Sequence, residues 1–261
     1  MLEFREVSAG YGGKPVLRDI SFSIPKGCLA TLIGPNGSGK TTLLRAAARQ
    51  LPIQAGSILL NGRPLSDYDR KAFARTAAFM PQVRSVPAIT VGALVAHGRF
   101  PYLGFSRQMR PADKDAVRQA MEDTGVAAWA GRDLRELSGG ERQRVYIAMA
   151  LAQDTDIIFL DEPTTYLDPG RQFELLDLIA SLPRRGKTVV MVLHDLSHAL
   201  RYSQQLLLLE QGRLVRCSGP EMLFECGDLD QVFGIRSRRA EDGGYYFLPP
   251  AEAPTTTYDG G

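Results

Sequence analysis

Residues 28–51, CLATLIGPNGSGKTTLLRAAARQL, run from a short apolar segment through a glycine-rich turn into a helical one. CLATLIG has the length of a buried strand and ends on glycine, and TLLRAAARQL reads as a helix. Between them GPNGSGKT at 34–41 matches G-x-x-x-x-G-K-[ST] at every position. Gly34, Gly37 and Gly39 let the backbone curl until its N–H groups face phosphate oxygens. Pro35, Asn36, Ser38 and Thr42 complete the binding stretch. Lys40 adds a point charge near the β- and γ-phosphates, the Thr41 hydroxyl can ligate Mg²⁺, and the helix N-terminus behind adds its dipole.

A second stretch fits the first. IIFLDE at 157–162 is four apolar residues, a buried strand, closed by two carboxylates. In an open α/β sheet ligands lie beyond the strand C-termini. Asp161 there can hold Mg²⁺ through water, and Glu162 can polarise an attacking water as general base.

The 261 residues are 44% hydrophobic and 23% charged, enough for one large domain with a packed core or a core with an inserted subdomain. A net charge of +2 gives no electrostatic reason to expect nucleic acid. Cys28, Cys217 and Cys226 are odd in number and carry no metal spacing, which fits a reduced compartment. The N-terminus lacks a signal-peptide pattern. The longest apolar runs fall well short of the ~20 residues that span a bilayer, so the chain is expected to be soluble and to reach a membrane only through another subunit.

Ile20, Phe22 and Ile24 alternate with serines. With LEFREVS at 2–8 and GSILLNGRPL at 56–65 they predict an antiparallel sheet near the N-terminus. Residues 84–136 carry Pro87, Pro101 and Pro111, many charges and a predicted helix over 112–124, as an insertion would. From 138 onward helices alternate with the strands IIFLD, TVVMVL and LLLL, which implies a parallel sheet covered on both faces. PAEAPTTTYDGG at the end is expected to be flexible, and GGYYFLPP before it could be a last hairpin strand.

LSGGERQR at 137–144 is a second glycine turn opening a helix, with Ser138, Gly139, Gly140 and Glu141 at its start. A serine N-cap explains such a turn locally. Its place some twenty residues before IIFLDE points further. At this spacing the chain resembles the ATP-binding-cassette (ABC) ATPase family over residues 2 to the 230s: LSGGERQR resembles the signature motif, and 34–41 and 157–162 resemble Walker A and Walker B.

The resemblance implies an α/β fold: a P-loop NTPase (RecA-like) core, an N-terminal antiparallel β-subdomain, and an α-helical subdomain inserted at about 84–150. The ATPase domain would cover 1–240, with 241–261 as an extension. It implies ATP and Mg²⁺ as cofactors, and a homodimer in which each signature loop closes on the ATP of the facing subunit. Tyr11 resembles the aromatic that stacks on adenine. Gln82 resembles the Q-loop glutamine reaching Mg²⁺ and the attacking water, Asp168 the D-loop aspartate at the dimer interface, and His194 the switch histidine on the γ-phosphate. Glu141, where the family commonly has Gln, and the bulky Tyr166 depart from the pattern without removing a catalytic group.

HGRFPYLGF at 97–105 resembles a stretch of cassettes that power import of iron–siderophore complexes, haem and vitamin B12. The implied machine is a bacterial importer: two copies of this chain, peripheral on the cytoplasmic face of the inner membrane, under two permease subunits fed by a periplasmic or extracellular binding protein. Two alternatives stay open at this point: an importer for zinc, manganese or an amino acid, and a soluble cassette without a membrane partner.

Overall fold

The computed structural model describes residues 1–80, 86–104, 108–165 and 167–250. The readings placed on Gln82, Tyr166, Phe105 and the tail after Pro250 lie outside the described residues. Strands β1 (Leu2–Tyr11) and β2 (Lys14–Ile24) form a hairpin whose turn, Gly12–Gly13, takes φ of 54° and 78°, the left-handed region open to glycine. The Ile20/Phe22/Ile24 alternation puts Phe22 flat against Phe4 at 4.3 Å, and serines on the outer face. After the buried β3 (Leu29–Ile33) and helix α1 (Lys40–Ala47), β4 (Ile53–Leu60) and β5 (Arg63–Pro64) complete an antiparallel sheet in the order β2-β1-β4-β5.

The central sheet is built from α/β units. Helix α2 (Arg70–Thr76) leads into β6 (Ala77–Met80). Helices α3 (Val91–Ala96), α4 (Pro111–Asp123) and α5 (Gly139–Ala152) then precede β7 (Ile157–Asp161). Next come α6 (Pro169–Ser181), β8 (Thr188–Val192), α7 (Leu196–Tyr202), β9 (Gln205–Glu210) and β10 (Arg213–Ser218). The order is β10-β9-β3-β8-β7-β6. The five strands from β9 to β6 run parallel, and β10 turns back antiparallel on β9. That antiparallel edge was not legible as such, because a two-residue turn at Gln211–Gly212 returns the chain directly and leaves no room for a crossover helix.

Every residue of β3, β7 and β8 is buried, as a sheet covered on both faces requires. Ala30, Leu32, Phe159, Val190 and Leu207 face α1 and the antiparallel sheet. Leu29, Ile33, Leu160, Met191 and Leu208 face the helices, in one core with Val91, Leu94 and Ile147 of the insertion. The predicted helix 112–124 is α4. Helix α6 starts two residues before the apolar pattern suggested, because Asp168 caps it and Pro169 fits its first turn.

The chain ends in α8 (Pro220–Glu225), α9 (Asp228–Phe233) and the hairpin β11 (Arg236–Arg239) with β12 (Tyr245–Leu248), which contains the expected last strand. Among the described residues no helix is long and apolar enough to cross a membrane.

HGRFPY at 97–102 is a 3₁₀ turn held by its arginine. Arg99 is buried. Its Nε and Nη2 donate to Asp113 Oδ1 at 3.0 and 2.9 Å, its Nη1 donates to the Ala152 carbonyl at 3.0 Å, and its guanidinium lies 3.8 Å from the Tyr102 ring centre. A side chain at Gly98 would meet the Met149 carbonyl at 2.3 Å. Gly98 and Arg99 therefore lock this turn onto α4 and the end of α5, while Phe100 is exposed and packs on His97 at 4.4 Å. Asp113→Ala leaves a buried guanidinium unpaired and is expected to lower stability by about 3 kcal/mol. The double replacement Arg99→Met/Asp113→Leu is expected to recover most of that loss. Thermal melts of the three proteins check this.

Candidate active site

The parallel sheet brings the ends of β3, β7 and β8 to one edge. The loop after β3 is shaped by glycines that could not be replaced in place. Gly34 has φ 148° and a Cβ there would lie 2.1 Å from the Leu209 carbonyl; Gly39 has φ 102° and a Cβ there would lie 2.7 Å from Leu17 Cδ2. Asn36 and Gly37 are exposed at the tip, next to the half-buried Pro35, whereas Ser38 and Thr42 are buried. The Ser38 hydroxyl is buried with no hydrogen-bond partner among the described residues.

Lys40 is buried, and its Nζ donates to the carbonyls of Gly34 and Pro35 at 2.7 and 2.9 Å. Burial pushes its pKa down, and the carboxylates of Glu162 and Asp161 push it back up. The Thr41 hydroxyl lies 3.1 Å from Asp161 Oδ1, which joins the loop to the end of β7. Asp161 is 2% exposed, and that burial raises its pKa against the opposing Thr41 hydrogen bond.

Glu162 sits in the turn after β7 with φ 53°. Its Oε1 is 2.6 Å from His194 Nε2, and its Oε2 accepts from the Thr165 hydroxyl at 3.1 Å. The 2.6 Å separation is that of a hydrogen bond between imidazole and carboxylate. Thr165 had no place in the sequence reading. The available signal was a hydroxyl three residues after the carboxylate, across the turn. Tyr11, at the end of β1, is 48% exposed, and its phenol oxygen stands 3.5 Å from Arg45 Nη1 of α1. Arg45 was missed too: it lies one helical turn past Thr41.

The signature stretch stands apart. Ser138 caps α5, accepting from the Glu141 amide at 3.3 Å, while Glu141 Oε2 accepts from the Ser138 amide at 2.8 Å, a reciprocal capping box. The Ser138 backbone amide, seconded by the Ser138 hydroxyl, holds the Glu141 carboxyl below the usual carboxylate range. Ser138 and Gly139 are exposed, and a Cβ on Gly140 would touch Leu167 Cδ2 at 3.2 Å, just before the α6 cap Asp168. Asp168 accepts from the Arg171 amide at 3.1 Å and is exposed. Among the described residues no hydrogen bond or ion pair joins 138–141 to 34–42.

A sequence profile described as ABC transporter matches residues 17–165, more than half of the chain. The chain belongs to the ABC transporter family. It is an ATP-binding subunit of that family, an ATPase coupled to transport. It is 40% identical, over 92% of its own length and 90% of the relative's, to the iron(3+)-hydroxamate import ATP-binding protein FhuC of Bacillus subtilis (strain 168). The ferric enterobactin transport ATP-binding protein FepC of Escherichia coli (strain K12) is 39% identical over 92% and 90% of the two chains.

Among solved structures, a chain of an ABC transporter in an inward-facing conformation superposes with a TM-score of 0.82 at 25% identity, covering 96% of this chain and 98% of that one. The ATP-binding cassette MJ0796, a dimer in a post-hydrolysis state bound to ADP and Pi, superposes with a TM-score of 0.73 at 25% identity, covering 84% and 99%.

The glycines of this ABC loop differ in what they tolerate. Gly34→Ala is expected to lower stability by on the order of 2–3 kcal/mol, because Cβ collides with a strand carbonyl. Gly37→Ala meets nothing within 4 Å and is expected to lose only the left-handed backbone penalty, about 1–2 kcal/mol. Denaturant unfolding of the two variants checks the order.

Proposed function

We propose that this chain is the ATPase subunit of an importer for ferric siderophore complexes. It would work as a homodimer on the cytoplasmic face of the plasma membrane, beneath two permease subunits, with a periplasmic or extracellular binding protein delivering the cargo. The observation that carries the cargo class is the identity of 39–40%, over about nine-tenths of both chains, to ATP-binding proteins named for hydroxamate and enterobactin import. The achromobactin transport protein CbrD of Dickeya dadantii (strain 3937), 40% identical over 91% and 89%, supports the same class.

In this reading the amides of residues 34–42 and the Lys40 ammonium bind the phosphates, and Tyr11 stacks on adenine. Thr41 and Asp161 fit Mg²⁺: two hard oxygen donors 3.1 Å apart at the strand end suit an ion that prefers oxygen. When bound, Mg²⁺ neutralises charge on the β- and γ-phosphates. Gln82 takes the Q-loop role that the resemblance gives it.

Glu162 takes the proton from the attacking water. Thr165 fixes one carboxylate oxygen and His194 the other, so the base is aimed before substrate arrives. Ser138, Gly139, Gly140 and Glu141 meet the γ-phosphate of the partner copy, and Asp168 crosses the interface. Because Ser138 and Gly139 are exposed and bond only within their own helix start, a second molecule can reach them.

Glu162→Gln is expected to lower kcat at least a hundredfold while leaving ATP binding intact, since the amide cannot accept the proton. Single-turnover ATP hydrolysis beside nucleotide binding by the same protein checks it. Ser138→Arg is expected to abolish hydrolysis without weakening ATP binding to the isolated chain, and a fall in monomer affinity would contradict the two-subunit site. ATPase activity with the permease in liposomes is expected to rise when the binding protein carries a ferric siderophore, and not when it carries haem, cobalamin or a bare divalent metal.

A further inference from the structure

His194 leaves β8 on an exposed loop, yet its imidazole meets Glu162 at 2.6 Å. The backbone around it is held on one side by the Leu193 amide, which donates to the Leu32 carbonyl at 3.3 Å. On the other side it enters α7, whose cap Asp195 accepts from the His198 amide at 2.8 Å. Helix α7 has seven residues, too few to hold its own first turn without packing.

The C-terminal hairpin reaches that turn. The Ser197 hydroxyl donates to the Tyr245 carbonyl of β12 at 3.1 Å. A two-stranded hairpin is marginal alone, and this one is anchored elsewhere. The Tyr245 phenol donates to Glu221 Oε1 at 3.2 Å, its ring lies 4.9 Å from Phe224, and Arg239 pairs with Glu221. At the other strand the Ser237 amide donates to Asp230 at 2.7 Å. Helix α9 is tied in turn to β10 through the Arg216–Asp228 pair. The C-terminal hairpin, held by these contacts, thus meets α7 three residues beyond His194.

We infer that Ser197 is a positioning residue: its bond to the Tyr245 carbonyl lets the C-terminal hairpin hold His194 against Glu162. This rests on the proposed roles of His194 and Glu162. The consequence is that hydrolysis responds to a segment outside the sheet edge that carries the phosphate loop, so displacement of β12 slows turnover without touching nucleotide affinity.

The chain has three histidines, so their imidazole signals can be followed singly by NMR in the full-length protein labelled at histidine. His194→Ala assigns the His194 signal and serves as the control. In Ser197→Ala, kcat is expected to fall on the order of tenfold, as for a small displacement of a catalytic group. The KM for ATP is expected to stay at the wild-type value, the Tm to fall by no more than the few degrees of one lost hydrogen bond, the His194 signal to shift or broaden, and the His97 signal to stay in place. Ser197→Thr, which keeps the hydroxyl, is expected to restore both kcat and the His194 signal. Tyr245→Ala frees the strand from Glu221 and Phe224, and Ser197→Ala is expected to add little to it.

An unchanged kcat overturns the inference. So does a lower kcat with an unmoved His194 signal, which assigns Ser197 to folding alone. If His194→Ala hydrolyses ATP at the wild-type rate, the reading of the Glu162–His194 pair fails first, and this inference with it.

Discussion

Thr41 and Asp161 are 120 positions apart and meet at 3.1 Å. That contact exists because β3 and β7 both flank β8 in the same parallel direction, register against register. Parallel strands end together, so the loop after β3, the carboxylates after β7 and the histidine after β8 converge on one edge. The convergence is only as firm as the sheet. Its central strands β3, β7 and β8 are buried on both faces, and a slip of one residue would exchange every inward side chain between two different cores.

The charges at that edge depend on one another. Lys40 is an ammonium taken out of water, a state that is unfavourable unless it is paired and hydrogen-bonded. It finds two loop carbonyls directly and two carboxylates nearby. Asp161 is likewise buried, and among the described residues the Thr41 hydroxyl is its side-chain hydrogen-bond partner. A cluster that keeps a buried cation beside carboxylates suits a ligand carrying both phosphate and a divalent ion. Glu162 differs: it lies in a left-handed turn, and its two oxygens are claimed by Thr165 and His194. The backbone conformation that few non-glycine residues adopt turns this carboxylate out of the strand line and towards the histidine.

The signature loop follows a different logic. Its local chemistry is that of a helix start, and Glu141 improves it, since a carboxylate at the third position both accepts the cap amide and favours the positive end of the helix. The departure from the common glutamine therefore leaves the helix intact. In the proposed reading the loop meets a phosphate from outside, and the exposure of Ser138 and Gly139 leaves it open to that approach.

The local chemistry was legible in the sequence. A glycine loop between strand and helix, an apolar strand ending in Asp161–Glu162, a serine-capped turn and a period-two N-terminal sheet are written in adjacent residues, because dihedral freedom, burial and capping act over a few positions. The reading of HGRFPY was only half legible. The burial of Arg99 depends on Asp113 and Ala152, which no local pattern can pair with it. The antiparallel return of β10, the Thr165 bond to Glu162 and the grip of β12 on α7 were likewise decided by contacts between distant segments. The sequence by itself determined which groups could bind phosphate and move a proton. The tertiary structure decided which of them meet, because only the closed sheet and the buried pairs around it convert distance along the chain into distance in space.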